Sequence, residues 1–210
     1  MPSRKRCLEL FKGTGSVGRV CQELGYDVVS LDINPRYAAT YCCDILNFDY
    51  KAFKPGYFTI IWASPECKIY SNLQFTNIGW KWRDKEHLEH VRLEHAKYVE
   101  CVLKLIQYLT PKWWFIENPR HSAMKNLQCM HNLPYVDVDY CLFGTLHRKP
   151  TRIWTNRKDL HDALCTRKRH AYQIGMTSPR KMYHEVQRAD PTNTEERYAI
   201  PADLLRYLIS

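Results

Sequence analysis

No stretch of the chain approaches the roughly 20 consecutive apolar residues that a membrane-spanning helix requires. The opening Met1-Pro2-Ser3-Arg4-Lys5-Arg6 also lacks the apolar centre of a secretory signal, so the expectation is a soluble, intracellular protein, at work wherever its substrate resides. Nine cysteines are present but scattered, an odd number with no Cys-x-x-Cys pair, which argues against both a disulfide framework and a thiolate zinc site. His87, His90 and His95 share a helical face with Glu86, Glu89 and Glu94, yet no cysteine completes a metal set, and a solvated polar face with no metal is expected. Internal repeats and low-complexity segments are absent as well, which excludes solenoid and fibrous architectures.

Acid is the scarce charge. Asp and Glu number 22 against 31 Lys and Arg, for a formal net charge of +9. Between His147 and Arg188, eleven Lys and Arg face only Asp159, Asp162 and Glu185, so nearly the whole excess falls in one stretch. A local field of this kind suits a polyanion, with phosphate contacts supplying salt-dependent affinity; a merely basic surface is the plainer reading.

With 45% hydrophobic side chains, 210 residues suffice for one full core. Residues 7–11 form an apolar run, Gly13-Thr14-Gly15-Ser16-Val17-Gly18 a tight loop, residues 17–24 a helical pattern and residues 27–31 a second strand ending at Asp32. In a Rossmann-type unit such glycines let the backbone approach a nucleoside-containing cofactor, and the acid takes its ribose hydroxyls. The literal Gly-x-Gly-x-x-Gly fits a nicotinamide dinucleotide equally at this point. A short third strand over 39–43 leads to Asp44-Ile45, where a carboxylate could accept from an adenine amino group or simply cap a turn.

Further strands are expected over 57–62, 113–116, 135–140 and 151–155, with one long amphipathic helix over 84–109. Alternating strands and helices give an α/β fold with a mostly parallel sheet flanked by helices. Residues 1–156 are read as the catalytic core, 157–196 as a small basic recognition region or loops, and 197–210 as a helix packing back on the core. The polar, aromatic passage 72–83 is too long for a simple turn and has the length of a lid or binding loop.

Cys67 stands just beyond the strand that ends near Trp62, in Ser64-Pro65-Glu66-Cys67, and Glu117 at the end of the strand 113–116, in Glu117-Asn118-Pro119. Ligands of open α/β sheets bind at the carboxyl ends of strands. A thiolate is the nucleophile, and Lys68 adds a positive charge beside it. Thiol and carboxyl together suit attack on an electron-poor ring whose nitrogen gains charge, such as cytosine. Taken singly, Cys67 reads as a buried inert thiol and Glu117 as a salt-bridged structural acid.

These residues in this order resemble the DNA (cytosine-5) methyltransferases, in a compact, phage- or virus-like form. Leu8 through Gly18 looks like the family's cofactor loop, Ser64 through Ser71 its nucleophile loop, and Phe115-Ile116-Glu117-Asn118-Pro119 its glutamate segment. Phe143-Gly144 through Thr151-Arg152-Ile153-Trp154 is a looser likeness of its arginine strand, and 198–201 of its closing motif. The resemblance implies a Rossmann-like fold and S-adenosyl-L-methionine in a site made by Phe11, Gly13, Thr14, Gly15, Ser16, Val17 and Pro65. Asp32 would hold its ribose, Asp44 with Ile45 its adenine, and Ile33 would also belong to the site.

The implied reaction flips the target base out of its stack, adds Cys67 to C6 and lets Glu117 stabilise N3 while C5 takes the methyl group. Arg152 would steady the base, or serve as a phosphate contact. DNA is the implied partner, through 147–188, with RNA as the alternative polymer; a silenced homologue that binds cofactor and nucleic acid without turnover is the other. A monomer is expected. Three departures stand out: Glu66 where the family has proline, a charge opposing thiolate formation unless it points away; Pro119 where valine is usual; and His147-Arg148-Lys149 in place of Gln-x-Arg.

Overall fold

The apolar runs become the strands of one twisted sheet in the computed structural model, which describes residues 4–145, 147–166, 172–173 and 198–210. In chain order they are β1 (Arg6–Leu10), β2 (Asp27–Asp32), β3 (Tyr41–Cys42), β4 (Ile60–Ala63), β5 (Trp113–Pro119), β6 (Tyr135–Asp139) and β8 (Pro150–Thr155). Their order across the seven-stranded sheet is β3-β2-β1-β4-β5-β8-β6. All neighbours are parallel up to β5, whereas β8 runs antiparallel to both β5 and β6. Outside it, β7 (His147–Arg148) pairs in parallel with β9 (Tyr172–Gln173).

Strand alternation sends successive side chains to opposite faces, which is why strands covered on both sides read as unbroken apolar runs. On one face Leu8, Leu10, Ile61, Ala63, Ile116 and Trp154 pack beneath α2 (Lys85–Leu109). On the other, Cys7, Ile60, Trp62, Phe115 and Ile153 meet α1 (Ser16–Glu23) and α3 (Ala202–Ile209). The Asp84 carboxylate accepts the His87 amide at 2.7 Å to cap α2, and Thr110 in the left-handed region (φ 44°) with Pro111 behind it stops the helix.

The structure moves three expected boundaries. β4 opens at Ile60 and not at Tyr57, because Pro55-Gly56 turns the chain. β5 runs on through Glu117 to Pro119, since antiparallel β8 continues the ladder with Glu117 opposite Ile153 and Pro119 opposite Thr151. Residues 157–166, the start of the stretch read as a recognition region or loops, return along β6, where Asp139 N donates to Ala163 O at 2.9 Å and Ala163 N to Asp137 O at 2.9 Å. Of the rest of that expected region, 167–171 and 174–196 lie outside the described residues. The closing helix α3 packs against α1 and the core, held at its entrance by Ile200 N on Ser16 Oγ at 3.2 Å. No helix among the described residues is long and apolar enough to cross a membrane.

Candidate active site

Between β1 and β4 the strand order reverses direction, and α/β sheets open a crevice at the carboxyl edge of such a switch point. A cleft of about 650 Å³ lies there. The turn out of β1 is built from left-handed backbone: Phe11 at φ 58°, Gly13 at 50° and Gly15 at 70°. Phe11 is the costly member, since a side chain rarely tolerates that region, and such strain collects at functional sites. Gly18 has a different reason to be glycine. A Cβ there would lie 2.7 Å from Glu9 Oε2 and 3.3 Å from Val28, so a larger residue would have to displace the buried Glu9 carboxylate.

Asp32 anchors the loop. Its Oδ2 accepts the Gly13 amide at 2.9 Å and its Oδ1 the Asn34 amide at 2.8 Å, which leaves each oxygen a further lone pair, and the residue lines the cleft. Ile33 stands exposed at the lip, while Ile45 is buried in the wall. Both readings of Asp44 hold at once: Oδ1 caps a turn by accepting Leu46 N at 2.9 Å, and the residue also lines the cleft. Thr14, Ser16, Val17 and Pro65 line it too, and Gly15 supplies the left-handed turn before α1. From the far end of the chain, Tyr198 and Ile200 close this wall.

Glu9 was not singled out by the sequence pattern. It is buried beneath the loop with Oε2 unpartnered among the described residues. Burial pushes its carboxyl up to about 7, against the Gly18 and Val17 amides and the Lys12 and Arg19 charges, which draw it down. An acid seated under the glycine loop puts negative potential into the cleft when ionised.

Across the cleft, β4 delivers the Cys67 loop, which is held by three neighbours. Asn118 Nδ2 donates to Pro65 O at 3.0 Å. Arg92 of α2, buried, donates to Ile69 O at 3.1 Å and Ser71 O at 2.9 Å and pairs with Glu89 at 2.8 Å. Gln74 Nε2 donates to Lys68 O at 3.0 Å while its Oε1 accepts from Trp82 Nε1 and Asn77 Nδ2, each at 3.0 Å. The passage 72–83 is therefore stapled to the Cys67 loop. Ser71 contributes its carbonyl to the Arg92 clamp and its hydroxyl to the Leu73 amide at 3.2 Å.

The half-buried Cys67 thiol lies above its ordinary pKa range because of burial first and the Glu117 charge second; Lys149 pulls it down. Glu66 is the weakest of the raising influences and is exposed, so the unusual residue before Cys67 hinders it little. Nor is Lys68 the activating cation, as expected from adjacency: it is exposed, and Lys149 takes that part.

Glu117 faces the cleft, with Tyr140 Oη donating to its Oε1 at 3.1 Å and Lys149 Nζ at 3.5 Å from the same oxygen. Arg152, the expected third catalytic residue, is elsewhere. Ile153 opposes Glu117 in register, so alternation turns Arg152 to the other face of the sheet. There its guanidinium forks onto Asp137 at 2.8 and 2.9 Å and lies 3.6 Å from the Tyr135 ring centroid. Because β8 runs antiparallel, its start and not its middle reaches the carboxyl edge, and Lys149 just before it lines the cleft beside Glu117.

The basic stretch is likewise less free than its composition implies. Arg148 pairs with Asp139 at 3.0 Å, Arg152 with Asp137, and Arg157 with Asp159 at 2.8 Å, the last also donating to Leu208 O at 2.7 Å. With Lys149 on Glu117, these cations serve the fold and the cleft; the remaining Lys and Arg up to Arg188, apart from Lys158, lie outside the described residues. On α2, His95 and Tyr98 line the cleft, His90 meets Glu94 at 3.4 Å, and His87 Nδ1 accepts the Arg83 amide at 3.2 Å.

A parallel sheet with one reversed strand beside its last, and a glycine-loop cleft at its switch point, defines the Rossmann-like methyltransferase fold. The S. pombe Dnmt2 methyltransferase shares it with a TM-score of 0.51 at 13% identity, over 75% of this chain and 52% of that one. The Entamoeba histolytica methyltransferase EhMeth does so with a TM-score of 0.52 at 16% identity, over 77% and 57%. The chain thus spans about half the length of these structures. No family model matches the chain. A curated relative is 34% identical over 167 residues, 78% of this chain and 76% of its own length: the "Probable DNA (cytosine-5)-methyltransferase" of Frog virus 3 (isolate Goorha). The chain belongs to the DNA (cytosine-5) methyltransferase family.

Proposed function

We propose that the protein transfers a methyl group from S-adenosyl-L-methionine to C5 of a cytosine flipped out of DNA. The observation that carries this reading is the meeting of Cys67, Glu117 and the β1 glycine loop in one cleft. The loop residues fit the cofactor: left-handed Gly13 and Gly15 let a ligand approach the backbone, Asp32 and Asp44 offer acceptors for hydroxyl and amino groups, and Glu9 adds an acid under the loop. When bound, S-adenosyl-L-methionine supplies an electrophilic methyl group.

The chain's residues do the rest. The Cys67 Sγ lone pair forms a bond to C6 of the base, the C5=C6 π pair moves to C5, and charge accumulating toward N3 is met by Glu117. C5 would then take the methyl group, whose bond to the cofactor's sulfonium sulfur would break with its electron pair left on sulfur. Loss of the C5 proton to solvent base returns that electron pair to the ring and expels Cys67 as thiolate. Lys149 favours the thiolate at both ends of this cycle. The formal charge of +9 supports a polyanionic substrate.

The test is incubation with methyl-labelled S-adenosyl-L-methionine and separate DNA and RNA, followed by nucleoside mass spectrometry, with Cys67→Ser as control. 5-Methyldeoxycytidine that disappears in the variant is the expected result. 5-Methylcytidine alone would move the substrate to RNA, and label in neither polymer would overturn the reading.

A further inference from the structure

Glu117 is gripped on one oxygen only. Tyr140 Oη and Lys149 Nζ both address Oε1, at 3.1 and 3.5 Å, while Oε2 makes no hydrogen bond among the described residues. Lys149 also lies 4.7 Å from the Tyr140 ring centroid, a cation-π contact that joins the two partners of Glu117. The backbone locks them together as well, with Tyr140 N donating to Lys149 O at 3.3 Å and Thr151 Oγ1 to the same carbonyl at 3.1 Å. Tyr140 is fully buried, its ring packed in the core between the sheet and α3.

A phenol that deep normally needs a hydrogen-bond partner, and many could serve. This one ends on the carboxylate facing the cleft. A free Glu side chain has three torsions; a carboxylate fixed at one oxygen presents the other in a set direction. From this geometry we infer that Tyr140 is a positioning residue, which with Lys149 holds Glu117 by Oε1 so that Oε2 is presented to the ring nitrogen of the target base. The inference rests on the reading of Cys67 and Glu117 as the reacting pair. Burial first, then the Glu117 charge, push the Tyr140 phenol well above its ordinary range, so it remains a donor throughout the cycle.

Tyr140→Phe removes the donor and keeps the ring, so the core packing is preserved. The experiment uses the full chain, S-adenosyl-L-methionine and a random-sequence DNA duplex carrying 5-fluorodeoxycytidine. Fluorine at C5 cannot leave as the proton does, so the Cys67 adduct accumulates and can be counted by denaturing mass spectrometry. At saturating DNA the variant should form the adduct about tenfold more slowly, the loss of one hydrogen bond to a charged group, with the DNA concentration for half-saturation and the melting temperature nearly unchanged.

Glu117→Gln should be slower still, and adding Tyr140→Phe to it should cost little more, because the tyrosine acts only through the carboxylate. An adduct rate equal to wild type in Tyr140→Phe, multiplicative losses in the double variant, or a change confined to DNA affinity would each overturn the proposal. Absence of adduct in the wild-type protein would instead bring down the underlying reading of the reaction, and the proposal with it.

Discussion

Asn118 Nδ2 donates to the carbonyl oxygen of Pro65 at 3.0 Å, so the residue after the glutamate holds the loop that carries the thiol. Asn118 is fully buried, and its own Oδ1 has no partner among the described residues. Replacing it by alanine leaves the Pro65 carbonyl unsatisfied, a cost of about 1–3 kcal/mol. Asn118→Ala is expected to lower kcat roughly tenfold or more through loss of alignment, with a smaller effect on KM. Steady-state methylation kinetics check it; a pure KM effect would mean that the link does not set the approach of Cys67 to the base.

The Cys67 thiol titrates above its ordinary range, and its neighbours assign the sign of each perturbation. Alkylation by iodoacetamide follows the thiolate, so its rate at Cys67 should still be rising past pH 9, the ordinary thiol value. Lys149→Met removes the group that lowers the pKa and should move the curve to higher pH; Glu117→Gln removes a charge that raises it and should move the curve down. Peptide mass spectrometry separates Cys67 from exposed thiols such as Cys42. Curves that coincide for all three proteins would remove the electrostatic coupling.

Lys149 lies against Glu117 in the cleft, whereas Arg152, which the resemblance placed on the base, pairs with Asp137. Arg152→Met should leave kcat within about threefold of wild type, yet cost on the order of 3 kcal/mol of stability by stranding Asp137 in a partly buried pair. Lys149→Met should do the reverse, losing activity while the fold persists. Urea denaturation beside methylation assays reads both. A catalytic defect in Arg152→Met at full folding would restore the original assignment.

The legibility of the candidate site followed the range of the interactions that build it. The turn at Gly15 and the cleft positions of Gly13, Asp32, Cys67 and Glu117 were readable because each stands at a local turn or strand end after an apolar run. Asp44 could be read as cap or adenine acceptor because both depend on the same exposed turn. Lys149, Tyr140 and Arg152 could not be sorted, since their placement depends on β8 running antiparallel beside β5, a pairing invisible in local alternation. The same holds for Arg92, whose acceptor Ile69 lies 23 residues away, and for Gln74, which reads as one more polar loop residue. In the basic stretch, composition counts charges but not their partners, and those of Arg148 and Arg152 both sit on β6.

Glu9 ties stability to pH. Its carboxyl is ordinarily at 4.5 and is raised to about 7 in the fold, so the native state keeps a proton that the unfolded chain has released. Stability contributed by this group is therefore intact below pH 4.5, declines as pH rises toward 7 and is fully lost above it. The gap converts to on the order of 3 kcal/mol. Glu9→Gln keeps an acceptor for the Val17 and Gly18 amides without the buried charge, so it should stabilise the protein at pH 8.5 and make little difference at pH 4. Equal effects at both pH values in calorimetry would show that the charge is not the cause. A cationic ligand in the cleft favours the ionised form, so the same substitution should weaken S-adenosyl-L-methionine binding and abolish proton uptake or release on binding near pH 7. Stability and cofactor affinity would then move in opposite directions at one residue.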